Sequence, residues 1–390
     1  MSNSISAAAS TAFGAASVGL AAIALVMGIA SGAVAAEQTY PFISSDIAFE
    51  LQNDWTYDSD DTAIERNDLY TTVEPTLVMH FTKELTLTTH GVFEPVRDPE
   101  PGKDRAFGDQ GFYIQDLFGQ YETGAVTVLG GKFTPNFGRA WDIAPGIYGT
   151  DFAEDYELSE RIGFGAAYTV SGNRIGTHRL SASAFFRDTS VLSDSIITSR
   201  GRTRLSDGGP SNTESPKSFA IALDSGELPL TLFGDTPPGE SPVTGLTYQI
   251  AFVSQAAGTG SDSREKGVVA SVAHEFPVAR AMALQPLVEY AHFFDADGVD
   301  GQDRFYITAG ATAIWQKRWN VALSYTRRET MPASGSNVGD NLFQASAGYE
   351  FDIGLGANAG WRYSETGDVA DHTIGMLLTY GLDFATGAKK

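Results

Sequence analysis

Apolar and polar residues alternate along most of this chain with a period of two. In "FYITAGATAIW", Phe305, Ile307, Ala309, Ala311, Ala313 and Trp315 fall on one side, while Tyr306, Thr308, Gly310 and Thr312 fall on the other. A β-strand turns successive side chains to opposite faces, so this pattern predicts a strand with one apolar and one polar environment. After "QKR" the alternation restarts with Trp319, Val321, Leu323 and Tyr325, which predicts a hairpin. Sixteen such segments can be marked, near 46–57, 68–81, 85–94, 111–121, 125–134, 161–170, 177–188, 217–224, 245–255, 266–276, 283–294, 302–315, 319–329, 341–351, 355–364 and 373–384.

Many of these segments reach ten to fourteen residues, with aromatics near their ends and Gly or Ala between. A tilted transmembrane strand needs about 9–11 residues and carries that aromatic distribution. The segments therefore predict an all-β protein, a transmembrane antiparallel barrel in which closure satisfies every edge hydrogen bond. The connections alternate as well. "TKE", "ETG", "SGNR", "QKR" and "DIG" are short, whereas 58–67, 95–110, 135–160, 189–216, 330–340 and 365–372 are longer and polar. Short turns at one end and long loops at the other are expected of an outer-membrane barrel with an even strand number. Residues 225–244 depart from this rhythm, being long where a short turn is due.

Residues 1–36 carry no charged side chain and include "GLAAIALVMGIASGAVAA". They read as a cleaved secretory signal, leaving 37–390 as one barrel domain. No long apolar run follows, which excludes a helical membrane bundle. The chain has no cysteine, and its formal charge of −22 lies wholly downstream of residue 36. Such an acidic chain repels nucleic acid. Ile374, Met376, Leu378, Tyr380, Leu382 and Phe384 alternate towards an aromatic residue near the C-terminus, similar to the terminal signal of outer-membrane barrels.

The strand number, the loop rhythm and the position of the 135–160 loop together resemble the general bacterial porins. That resemblance implies a sixteen-stranded, usually trimeric barrel in the outer membrane of a Gram-negative bacterium, set among lipid and lipopolysaccharide. It also implies a third long loop folded into the lumen and passive passage of small hydrophilic solutes and ions. A barrel of this size has a lumen too wide for wall side chains to fill. Pore-constriction candidates are Asp142, Asp151, Glu154 and Asp155 on the loop, with Glu157 and Glu160 beside them. By the same resemblance, Asp151, Glu154 and Asp155 would face basic wall residues Arg161, Arg179 and Arg187. The facing of Lys132 is ambiguous, and Arg139 is an alternative structural tie to Asp142.

The other expectations are absences. His80 and His90 stand on neighbouring strands with Glu50, Glu74, Glu94 and Glu289 on the same inner face, yet no nucleophile or metal-ligand grouping accompanies them. No enzyme activity, cofactor or metal is expected. A substrate-selective channel and a plugged adhesion or structural barrel are the alternatives. Excess acid suggests cation preference.

Overall fold

The computed structural model describes residues 39–172, 176–226, 228 and 246–386. The expected signal segment 1–36 and most of the irregular 225–244 connection lie outside the described residues. The rest forms one closed antiparallel barrel of sixteen crossings. In chain order these are β1 (Phe42–Ser59), β2 (Arg66–His80), β3 (Leu85–Pro95), β4 (Gln110–Thr123) and β5 (Val126–Phe133). Then follow β6 (Arg161–Gly172), β7 (Gly176–Arg187), β8 (Ser218–Ser225), β9 (Thr247–Gln255), β10 (Glu265–Ala273) and β11 (Met282–Phe294). The last five are β12 (Asp303–Trp315), β13 (Trp319–Met331), β14 (Val338–Glu350), β15 (Leu355–Thr366) and β16 (Val369–Ala385).

Each strand pairs with its sequence neighbours, and β1 closes on β16 from Ser44↔Ala385 to Ser59↔Asp371. Phe276–Ala279 prolongs β10 beside β11, and Arg105–Ala106 adds a short parallel bridge to β2. The alternation read in the sequence is the wall's two faces. Ile307 and Trp315 are exposed on the outer face, while Tyr306 and Thr308 are buried inside. Aromatics ring both rims, as amphipathic rings do at a membrane interface. Trp319, Tyr349 and Phe351 pack edge to face at the short-turn end, and Trp55, Tyr57, Trp361 and His372 pack at the other.

One connection differs from expectation. Residues 365–372 are not a long loop, because β15 and β16 continue to Thr366 and Val369 and are joined by Gly367–Asp368 alone. Both turn residues have positive φ (57° and 68°), the conformation of a tight hairpin turn whose twist matches the strands. Beyond the lipid both faces of a strand meet water, so polar composition there hides the strand.

The inner face is not uniformly polar. On β7 to β12, Phe185, Ala220, Ala222, Ala251, Val253, Val269, Leu287, Ala291, Phe293 and Tyr306 point inward and are buried. A buried row of this kind needs an apolar partner, and the segment between β5 and β6 provides it.

Candidate functional site

Between Phe133 and Arg161 the chain makes two short helical turns, Ala140–Ile143 and Glu154–Tyr156. Its Phe137, Ala140, Trp141, Ala144, Ala153, Tyr156 and Leu158 pack into one buried cluster with the apolar inner row of β7–β12. Phe137, Tyr156, Phe293 and Tyr306 form an edge-to-face group with centroids 4.9–6.5 Å apart. That geometry suits the quadrupoles of the rings and adds to the area they bury.

Polar ties fasten the same segment to inward-facing wall residues. Glu289 of β11 accepts hydrogen bonds from the backbone N–H groups of Arg139 (2.7 Å) and Ala140 (3.1 Å) and from the Tyr156 hydroxyl (2.6 Å). One carboxylate thus holds both limbs of the segment and serves the N-terminal end of the first helical turn, where unpaired N–H groups need an acceptor. Asn136 and Gln249 both donate to Asp224, at 2.6 and 2.8 Å. On the far side, Tyr148 donates to Asp54 of β1 at 2.5 Å and Gln344 of β14 donates to the Pro145 carbonyl at 2.7 Å. The backbone comes so close there that a Cβ on Gly146 (φ 94°) would overlap the Gln344 amide.

Two arginines complete the attachment. Asp151 pairs with Arg362 of β15 at 2.8 Å, and Asp155 pairs with Arg328 of β13 at 2.7 Å. Each arginine also holds a wall carboxylate, Asp371 and Asp340 respectively. Arg362 lies over the Tyr148 ring and Arg328 over the Phe152 ring, at 5.0 and 4.5 Å.

The sequence candidates therefore divide. Asp151 and Asp155 are bound to Arg362 and Arg328, not to Arg161, Arg179 or Arg187. Among the described residues, none of those three arginines makes an ion pair. Arg161 and Arg187 stand opposite each other in the β6–β7 register, and Arg179 lies deeper, against Ser181 and Asn136. Asp142 sits on the first helical turn, where burial lifts its carboxyl to about 7 against the opposing pull of Arg139. The Arg139 guanidinium donates to Thr247 instead, at 3.1 Å. Glu160 and Lys132 belong to a separate knot at the root of the segment: Lys132 binds Glu160 and Asp188, both at 2.8 Å, and the Leu192 carbonyl at 3.0 Å.

Between the segment and β1–β4 a cavity of about 300 Å³ stays open. Glu50, Glu74 and Glu94 line it from the wall, and Asp151, Glu154 and Glu157 from the segment. None of the described residues that line it is Lys or Arg. Burial raises the Glu157 carboxyl to about 8, with Glu154 adding repulsion, and raises Glu154 to about 7. Glu154 accepts a hydrogen bond from Thr150, while one Glu157 oxygen is buried without a partner. Beneath the cavity floor, His90 lies between Glu74 (3.3 Å) and Asp116 (3.4 Å). No group of three or more potential metal ligands occurs among the described residues.

No family model matches this chain, and no curated protein matches it. Solved structures do. The loop L8 deletion mutant of OmpT, an outer membrane protein of Vibrio cholerae, aligns with a TM-score of 0.52 at 10% identity, covering 87% of this chain and 99% of that one. The outer membrane protein opdK of Pseudomonas aeruginosa gives 0.51 at 8% identity, with 88% and 99% covered. The outer membrane channel DcaP of Acinetobacter baumannii gives 0.50 at 12% identity, with 88% and 96% covered. The likeness is one of fold: the chain is a closed sixteen-stranded barrel of the Gram-negative outer-membrane type.

Proposed function

We propose that this barrel is a diffusion channel of the outer membrane for small hydrophilic solutes and ions, with a preference for cations. The 134–160 segment divides the interior. On one side it is packed against the apolar row of β7–β12, and on the other it leaves the cavity of about 300 Å³ along β1–β4. The six carboxylates that line the cavity, with Asp151 tied to Arg362 and Glu74 beside His90, are the observation that carries the reading. In a narrow, low-dielectric passage, fixed charge of one sign raises the local concentration of the opposite ion. Asp151 and Asp155 act as ties, and Glu154 and Glu157, raised to about 7 and about 8, add their charge to the passage as pH rises through that range. Neither nucleophile nor cofactor is required.

A second reading, a plugged structural barrel, draws support from the apolar packing of the segment against β7–β12. Planar-bilayer recording of the refolded mature protein separates the two. Discrete open steps with a reversal potential displaced towards that of K⁺ in a KCl gradient are expected. An anion-directed reversal potential would refute the charge reading, and a folded but silent barrel would establish the plug.

A further inference from the structure

Strand β4 carries one residue more than the strand beside it. His90 of β3 stands opposite Asp116, and the next pair is Gly91 with Ile114, so Gln115 has no residue opposite. A bulge of this kind re-aims a side chain. Here it turns Gln115 into the cavity along β1–β4, next to Asp116, whose carboxylate meets His90. Gln115 is 9% exposed and makes no side-chain hydrogen bond with any described residue. A buried amide ordinarily finds a partner within the protein. This one is free to serve a solute.

The remaining lining narrows the class of solute. Glu50 belongs to the wall, whereas Glu154 and Glu157 belong to the interior segment, so carboxylates stand on both sides of the space. One oxygen of Glu50 and one of Glu157 are buried without a hydrogen-bond partner. Among the described residues, no three acidic or histidine side chains converge to hold a metal ion. Single charges set apart on two walls suit a solute whose own charges are set apart. The same lining includes the rings of Tyr113 and Trp141 and the aliphatic side chains of Val92, Ile147 and Leu377. Aromatic faces attract an ammonium group, and aliphatic side chains cover the methylenes beside it. A hydrated inorganic ion gains nothing from either surface.

We infer that this cavity is a binding subsite for linear di- and polyammonium solutes. One ammonium group meets Glu50 on the wall and another meets Glu154 on the segment. The Gln115 carbonyl accepts a further N–H, and the methylene spacers lie against Trp141 and Ile147. The inference names a solute class for the channel proposed above and rests on that reading. The probe is spermidine, titrated calorimetrically into the refolded protein in detergent at low ionic strength and about pH 8, where Glu154 is ionised. The comparisons are n-butylamine, with one charge, and Mg²⁺. Loss of a hydrogen bond to a charged group weakens binding about ten-fold, so Glu50→Gln and Glu154→Gln should each cost spermidine about that factor. In the parent, n-butylamine should bind more weakly than spermidine by about the same ten-fold. Glu50→Asp and Glu154→Asp keep the charge and should retain most of the affinity, which separates a lost contact from a misfolded barrel. Unchanged spermidine affinity in both glutamine variants would overturn the site. Mg²⁺ binding as tightly as spermidine would overturn the organic ligand and assign the carboxylates to inorganic ions. Planar-bilayer recording of the same protein keeps the two proposals apart. K⁺ current without spermidine binding would overturn the subsite and leave the channel, whereas spermidine binding to a silent barrel would overturn the channel and leave the subsite.

Discussion

Removing the Glu289 carboxylate should loosen the interior segment while leaving the barrel intact. Glu289 is 1% exposed, and its three donors come from Arg139, Ala140 and Tyr156, the last two 0% and 4% exposed. A hydrogen bond to a charged group contributes about 1.5–3 kcal/mol net, and a buried donor left alone costs about 1–3 kcal/mol. Three bonds that share one acceptor do not add fully, so Glu289→Ala should cost the docked segment about 4 kcal/mol. The remaining ties from Asp151, Asp155, Tyr148 and Asn136 do not pass through Glu289, so the effect should stay in 137–141 and around Tyr156. The assay is amide hydrogen exchange in detergent micelles. A loss of about 4 kcal/mol accelerates exchange through local opening up to about a thousand-fold, read at Arg139 and Ala140 with strand amides as the internal reference. Glu289→Gln, which keeps one acceptor oxygen, should lie between. Unchanged protection at Ala140 in the alanine variant would refute the anchoring role.

Further predictions follow from the charges. A carboxyl is neutral below its pKa and charged above it, so Glu154 and Glu157, raised to about 7 and about 8, should make cation preference grow as pH rises from about 6 to 9. Reversal potentials across that range check the sign, and Glu154→Gln with Glu157→Gln should flatten the curve. Arg328→Leu strips the buried Asp340 and the partly exposed Asp155 of their shared partner, and leaving Asp340 uncompensated costs about 3 kcal/mol. Current noise should increase in that variant while the far-UV circular dichroism stays unchanged. Lys132→Met leaves Asp188 buried and uncompensated at a similar cost. Limited trypsinolysis should then cut at Arg200 or Arg202 faster than in the parent.

The wall was legible in the sequence wherever lipid and water meet on opposite faces. "FYITAGATAIW" and "WNVALSYT" become β12 and β13 with the expected faces. It was less legible at β8 and β9, where "SFAIALDS" and "QIAFVSQ" bury alanine and valine inside as well as exposing Phe219 and Ile250 outside. Two-fold alternation assumes a wet interior, and it fades when a segment of the chain packs there. The acidic segment itself stood out by length and charge. Its partners did not, because Arg328 and Arg362 lie 173 and 211 residues from Asp155 and Asp151, a distance only barrel closure bridges. Glu289 was visible as an inward acid, but nothing local marks it as the acceptor for two backbone amides. Lys132 was ambiguous for a related reason: the residues that shield it arrive from the β7–β8 connection.

An open path along β1–β4 beside a sealed β7–β12 side predicts opposite accessibility for the two. Because the chain has no cysteine, single substitutions can report each side. Glu50→Cys lines the cavity, and Ala251→Cys lies in the packed cluster. A membrane-impermeant cationic methanethiosulfonate should react rapidly with Glu50→Cys and reduce single-channel current, while Ala251→Cys stays unmodified and conducts as the parent does. Rapid modification of Ala251→Cys with loss of current, and none at Glu50→Cys, would place the path on the other side of the segment and contradict the account.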